Sequence, residues 1–126
     1  MHAIDTNVLV RLISRDDLEQ TIRAEEDIKN GAWVSHIVLL ESVWVLQSVY
    51  GLSKEKIHLI IEMLLKHNKL IFQYVDVIEL ALLQYKNKPK LGFSDCLILA
   101  TAQKAGYSPL STFDKDLAKL EGVREV

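Results

Sequence analysis

The sequence predicts an α/β protein, a three-layer α/β/α fold with a central parallel sheet of four or five strands. Short apolar segments of strand length alternate with longer segments of helical periodicity along the whole chain. That alternation is typical of parallel sheets, because parallel strands need a crossover connection that is usually a helix. The chain of 126 residues is long enough to bury one core, so we expect a single domain over residues 1–126.

Each element follows from an apolar pattern and from the residues that begin or end it. Strands are predicted at residues 3–5, 32–34, 70–74, 110–111 and 123–126. Helices are predicted at residues 6–13, 16–29, 36–50, 54–68, 77–88, 94–105 and 115–120. Ser35 and Ser53 can cap the helices that follow them, and Gly51 and Gly106 end helices. Ser94 or Asp95 would begin the helix that runs to residue 105.

Composition and charge exclude several classes of protein. The net charge of −2 gives no global positive field for nucleic acid, so such a substrate would need local basic patches or a metal. The single cysteine, Cys96, excludes an internal disulfide and suits a reducing cytoplasm. No apolar run reaches membrane-spanning length, and Asp5 comes too early for a signal peptide.

Four carboxylates lie where a globular protein normally avoids an acid. Asp5 ends one predicted strand and Asp114 follows another, and ligands of open α/β sheets bind beyond the carboxyl ends of strands. Glu41 and Asp95 lie in apolar helical segments without a Lys or Arg at helical spacing. Because a buried carboxylate is costly unless it is paired, neutralised or bound to a cation, four converging acids would form a site for a hard divalent metal.

Structural roles are the alternative for each of these acids. Asp5 or Thr6 could cap the first helix, Asp114 the last helix and Asp95 its own helix, whereas Glu41 would need a partner from elsewhere in the fold. The lysines and arginines near the acids are equally open to two interpretations. They either hold phosphates near the site or only make the surface soluble. These residues are Arg11, Arg15, Lys86, Lys88 and Lys90.

Four segments of the chain, in order, resemble the motifs of PIN-domain ribonucleases, specifically VapC-type toxins of toxin–antitoxin pairs. The segments are IDTNVLV at residues 4–10, LLESVWVL at 39–46, FSDCLILA at 93–100 and STFDKDL at 111–117. The resemblance implies a PIN-like fold, in which Asp5, Glu41, Asp95 and Asp114 form the catalytic metal site. It also implies that Asn7 and Thr112 support the site by hydrogen bonding, and that Asp116 contributes to metal binding.

The residue types fit metal-dependent cleavage of RNA. Mg²⁺ and Mn²⁺ prefer oxygen ligands, and a carboxylate cluster without His or Cys favours them over Zn²⁺. The resemblance implies an endoribonuclease that leaves 3′-hydroxyl and 5′-phosphate ends. It further implies a homodimer and a small antitoxin protein that covers the acidic cleft. A housekeeping RNA-processing nuclease of the same fold and a catalytically silent PIN-fold binding module are the alternatives.

Two other classes also place an acid after a first strand. A phosphatase with an Asp nucleophile would need a second acid two residues later, where this chain has Asn7. A phospho-receiver domain would need paired acids at the end of the first strand, whereas here Asp5 stands alone and Glu41 lies in a helix. The sequence therefore favours the nuclease over both.

Overall fold

The computed structural model describes residues 1–126, which form two compact units, Met1–Gln73 and Tyr74–Val126. The five strands are β1 His2–Ala3, β2 Ala32–Val34, β3 Leu70–Phe72, β4 Leu110–Thr112 and β5 Val123–Glu125. The six α-helices are α1 Thr6–Ser14, α2 Leu18–Asp27, α3 His36–Ser48, α4 Lys54–Leu65, α5 Val75–Asn87 and α6 Phe93–Ala105. A short 3₁₀ helix spans Leu117–Lys119.

The first unit is built on a parallel three-stranded sheet with β2 in the middle. Ala32 and Val34 of β2 are buried, whereas Trp33 between them is exposed. β3 repeats this pattern, with Leu70 and Phe72 buried on either side of an exposed Ile71. The alternation expected for strands with one buried face is therefore present.

The helices of the first unit bury apolar side chains against one another and against the sheet. α1 packs against α2 and α3, and α4 packs against β3 and α3. Among the apolar side chains of these helices, the most deeply buried come from α1, α3 and α4. They include Leu9, Leu39, Leu46, Ile57 and Ile61. α3 and α4 begin at the caps expected from the sequence, where Ser35 accepts from Val38 N and Ser53 from Lys56 N.

The second unit consists of an α5–α6 pair and a parallel β4–β5 pair. The rings of Tyr85 in α5 and Phe93 in α6 meet edge to face, with centroids 5.7 Å apart, and both side chains are buried. The 3₁₀ helix packs against both β4 and β5. No helix in the chain combines the length and apolar composition that a membrane span requires.

The predicted α/β class and the parallel pairing of the strands are confirmed. All five strands are present, but they hydrogen-bond as a three-stranded and a two-stranded sheet. Two boundaries near the candidate acids differ from the prediction. β1 ends at Ala3, so Asp5 lies beyond the strand. α6 begins at Phe93 with extended Gly92 as its N-cap residue, so neither Ser94 nor Asp95 caps it.

Candidate active site

Asp5 holds the start of α1. It is the N-cap residue, and its Oδ1 accepts a 3.2 Å hydrogen bond from Val8 N. This bond satisfies one of the amides that a helix leaves unpaired at its N-terminus. The side chain is exposed, and its second oxygen has no protein partner. The cap therefore orients the carboxylate and leaves one oxygen available to a ligand.

Asp114, like Asp5, uses one carboxylate oxygen to accept backbone hydrogen bonds and leaves the other without a protein partner. Its Oδ1 accepts hydrogen bonds from Asp116 N at 2.8 Å and Leu117 N at 3.0 Å, at the start of the 3₁₀ helix. Its own backbone amide donates a 3.0 Å bond to Thr112 Oγ1. These three bonds fix the exposed residue after β4, while Oδ2 has no protein partner.

Glu41 differs from the expectation of a buried acid. It lies in the middle of α3, but its side chain is exposed. Ile37 and Trp44, which share its face at helical spacing, are 68% and 67% exposed. The Glu41 side chain makes no hydrogen bond or ion pair. The carboxylate of Glu41 is therefore open to solvent, although most of its neighbours in the sequence are apolar.

Asp95 is half-buried in the first turn of α6. Its carboxylate makes no hydrogen bond and no ion pair with another side chain. The partial positive charge at the N-terminus of α6 favours an anion at this position. The position of Asp95 is thus set by the backbone of α6, and neither carboxylate oxygen has a hydrogen-bond partner in the protein.

The two supporting residues, Asn7 and Thr112, and the fifth candidate ligand, Asp116, have different environments. Asn7 is exposed in α1 and makes no side-chain hydrogen bond. Thr112 is half-buried and accepts from the Asp114 amide. Asp116 forms a 3.5 Å ion pair with Lys119, three residues later. Asp116 is therefore the one candidate ligand that already has a cationic partner.

Two of the four main candidate acids lie in each unit. Asp5 and Glu41 belong to the first unit, whereas Asp95 and Asp114 belong to the second. Within either unit, no group of three or more His, Cys, Asp or Glu side chains is arranged to hold a metal ion. Neither unit alone therefore provides the complete set of ligands expected from the sequence.

None of the four acids is neutralised by a Lys or Arg side chain, unlike several other acids of the chain. Ion pairs join Asp16 to Arg11, Glu25 to Arg15, Glu26 to Lys29 and Asp76 to Lys104. Carboxylates without a cationic partner, with free oxygens, are the donor type that Mg²⁺ and Mn²⁺ prefer. The donor set therefore fits a hard divalent cation.

The structure separates the two groups of basic residues near the acids. Arg11 donates to Asp16 and Gln20, and Arg15 donates to Glu25, so both guanidinium groups are engaged within the first unit. Lys86 and Lys90 are exposed and have neither an ion pair nor a side-chain hydrogen bond. This distinction could not be predicted from sequence, because the partners of the arginines lie in a different helix or turn.

The first unit also contains an apolar groove. It has a volume of about 980 Å³ and lies between the ends of α1, α2 and α3 and one face of α4. Its apolar lining includes Leu12, Ile13, Leu46, Leu59, Met63 and Leu64. The signal in the sequence was the width of the apolar surface of α4, where Leu59 and Met63 lie outside the buried stripe.

A family model matches most of the chain, and the chain is similar to solved structures. A search of curated proteins gave no match. Among solved structures, the chain is similar to a chain of a toxin–antitoxin complex from Klebsiella pneumoniae, at 26% identity and a TM-score of 0.37. That alignment covers 98% of this chain and 96% of the other. A family model for the PIN domain matches residues 3–123, which is nearly the whole chain. The chain belongs to the PIN-domain family.

Proposed function

We propose that this chain is a Mg²⁺- or Mn²⁺-dependent endoribonuclease and that both units belong to one PIN domain over residues 1–126. PIN domains are generally nucleases, and they typically use divalent metal ions. The observation that carries the proposal is the family match over residues 3–123, which includes Asp5, Glu41, Asp95 and Asp114. Their lack of Lys or Arg partners supports a role in binding a cation.

Asp5, Asp95 and Asp114 are the proposed metal ligands, directly or through water. The caps at Asp5 and Asp114 hold each carboxylate by one oxygen, so the other oxygen can bind without loss of the cap. Glu41 is a further ligand or orients the attacking water. When bound, the metal would activate that water and offset the charge that develops on the phosphodiester.

The other three candidates have supporting roles in this proposal. Thr112 holds Asp114 through the backbone amide, which limits the movement of its carboxylate. The free amide of Asn7 can donate to a carboxylate or a phosphate oxygen. Asp116 pairs with Lys119, so its contribution would require that exposed pair to open. An exposed pair of this kind costs little to break.

Cleavage of labelled single-stranded RNA by the purified chain tests the activity. We expect cleavage with Mg²⁺ or Mn²⁺, loss of cleavage on addition of EDTA, and recovery with excess metal. The products should carry 5′-phosphate and 3′-hydroxyl ends, because a water and not the RNA 2′-hydroxyl attacks. Undiminished cleavage in EDTA, with 2′,3′-cyclic phosphate ends, would exclude the proposed mechanism. Binding of RNA without any cleavage would instead favour a catalytically silent PIN-fold module.

We further propose that the nuclease acts as the toxin of a toxin–antitoxin pair. The support is the ordered set of VapC-like motifs, IDTNVLV at residues 4–10 through STFDKDL at 111–117. The partner would be a small antitoxin protein that presents an Arg or Lys to the acids. We propose that its apolar segment binds the 980 Å³ groove, whose lining includes Leu64 but neither Val38 nor Val45 of α3. Both valines are half-buried.

Expression in cells tests the toxin role. The chain is expressed alone and together with the open reading frame that lies beside its gene. We expect growth arrest in the first case and normal growth in the second. Normal growth in both cases, with an active nuclease present, would favour a housekeeping RNA-processing nuclease.

A homodimer in the cytoplasm completes the proposal. Ile37, Trp44 and Val49 expose apolar area on α3 and at its end, which is typical of a surface that meets a partner. Cys96 forms no disulfide, as is usual for a protein of a reducing compartment. Sedimentation of the purified chain checks the dimer, and a mass equal to one chain of 14.4 kDa at all concentrations would exclude it.

A further inference from the structure

A basic turn connects α5 to α6, directly before the helix that carries Asp95. Residues 80–94 contain Lys86, Lys88 and Lys90 and no acid, although the whole chain has a net charge of −2. Lys86 lies in the last turn of α5, Lys88 is the C-cap residue of that helix, and Lys90 follows Pro89. The turn is therefore a local concentration of positive charge on a protein that is acidic overall.

The backbone of this turn is well fixed. Lys88 O accepts a 3.1 Å hydrogen bond from Leu91 N, which closes a four-residue turn around Pro89 and Lys90. Pro89 takes the second position, where its fixed φ is favourable. Leu91 is buried directly after the turn. Lys88 and Lys90 thus belong to a hydrogen-bonded turn that leads directly into a buried residue.

Two lysines of the turn have no partner in the protein. Lys86 and Lys90 are exposed and make no ion pair, whereas Lys104 in the same unit donates to Asp76 at 2.6 Å. Arg11 and Arg15, which follow Asp5 in the sequence, are engaged with acids of the first unit. Lys86 and Lys90 are consequently available to an external anion at no cost in broken pairs.

We propose that Lys86 and Lys90 bind backbone phosphates of the RNA and hold the strand beside Asp95. The inference rests on the proposed nuclease function. Asp95 lies five positions after Lys90 in the sequence, and a chain segment of five residues spans at most about 18 Å. One RNA strand can therefore contact both. Carboxylates repel RNA at the site where it must be cut, so nearby unpaired ammonium groups offset that repulsion.

The test measures RNA binding without chemistry. Fluorescence anisotropy follows binding of a fluorescein-labelled, mixed-sequence single-stranded RNA to the full-length chain in EDTA, from about 0.05 to 0.2 M KCl. The test variant is Lys86→Gln/Lys90→Gln. The matched control is Lys66→Gln/Lys69→Gln, which removes the same charge from exposed, unpaired lysines of the first unit. Lys86→Arg/Lys90→Arg tests whether charge alone is required.

Each phosphate contact with single-stranded nucleic acid adds about 0.7 to the slope of log K against log salt. We expect the test variant to bind more weakly and to lose about 1.4 from the magnitude of that slope. The control should keep the wild-type slope, and the arginine variant should restore it. Equal slopes for the test and control variants would overturn the proposal, as would absence of wild-type binding at the lowest salt. Lysines that serve an acidic protein partner would give that equal-slope result.

This outcome is independent of the nuclease test. If the chain binds RNA through these lysines but cleaves nothing in Mg²⁺, the phosphate site is supported and the proposed nuclease function is excluded. If the chain cleaves RNA in a metal-dependent manner but the test and control variants have equal slopes, only the proposed phosphate site is excluded.

Discussion

The hydroxyl of Tyr50 donates a 2.8 Å hydrogen bond to Asp16 Oδ2, and so joins the end of α3 to the connection between α1 and α2. Asp16 Oδ1 accepts from Ser14 Oγ at 2.8 Å and from Arg11 at 3.1 Å. The Tyr50 hydrogen bond, followed by that of Ser14, holds the pKa of Asp16 below its usual 3.8. Both Tyr50 and Asp16 line the apolar groove, so this contact shapes one end of it.

Replacing Tyr50 by Phe should therefore destabilise the protein in a pH-dependent way. A depressed pKa in the folded state contributes stability above the unfolded pKa, and that contribution is lost as the pH falls through the folded value. We expect the melting temperature of Tyr50→Phe to lie below that of wild type near neutral pH. The gap should narrow below about pH 4. Tyr107→Phe, which alters an exposed and unpaired tyrosine, should melt with wild type. A gap that stays constant into acid would contradict the assignment.

The Asp76–Lys104 pair should also stabilise the protein in a pH-dependent way, and this stabilisation should be lost in both acid and alkali. The hydrogen bond from Lys104 lowers the pKa of Asp76, and Asp76 raises the pKa of Lys104. Stability from the lowered pKa disappears in acid, and stability from the raised pKa disappears as the pH rises through it. The melting temperature of Lys104→Gln should fall furthest below that of wild type between about pH 5 and 9. Lys66→Gln is the unpaired control, and an equal effect of both variants would exclude a role for the pair.

The aromatic contact between α5 and α6 should dominate the stability of the second unit. Phe93 is 2% exposed and packs edge to face on Tyr85. Phe93→Ala should lower the free energy of unfolding by about 3–5 kcal/mol, from lost burial and the cavity left behind. Phe113→Ala removes the same ring from a site that is 81% exposed. It should change the free energy of unfolding by less than about 0.5 kcal/mol. Urea denaturation measures both, and similar losses would show that burial does not explain the effect.

The order and type of the elements followed from the sequence because local signals specify them. Ser35 and Ser53 cap the helices that were expected, and Gly51 and Gly106 have the positive φ angles of helix-ending glycines. Gly92 was missed as the N-cap of α6 because it has no side chain to signal a cap. The division of five strands into two sheets was also missed, since pairing between distant strands leaves no local pattern.

The candidate site was predictable in its residues but not in their environments. Asp5 and Asp114 lie at or just past the ends of predicted strands, and the structure adds that each carboxylate accepts backbone hydrogen bonds through one oxygen and leaves the other without a protein partner. Glu41 was expected among buried neighbours, yet an apolar sequence around a helical residue does not reveal which of those neighbours are exposed. The contact of Tyr50 with Asp16 spans 34 residues, a separation that no local pattern encodes.

The metal-dependent cleavage rates of Asp5→Asn and Asp17→Asn, measured side by side, test the central claim most directly. Asp17 caps α2 as Asp5 caps α1, with a 3.0 Å bond from Gln20 N. Asn caps helices about as well as Asp, so both variants should melt close to wild type. We expect Asp5→Asn to lose at least about 100-fold in rate, which corresponds to about 2.7 kcal/mol of transition-state stabilisation. Asp17→Asn should keep the wild-type rate. Equal rates for the two folded variants would show that Asp5 is only a helix cap and would contradict the proposed active site.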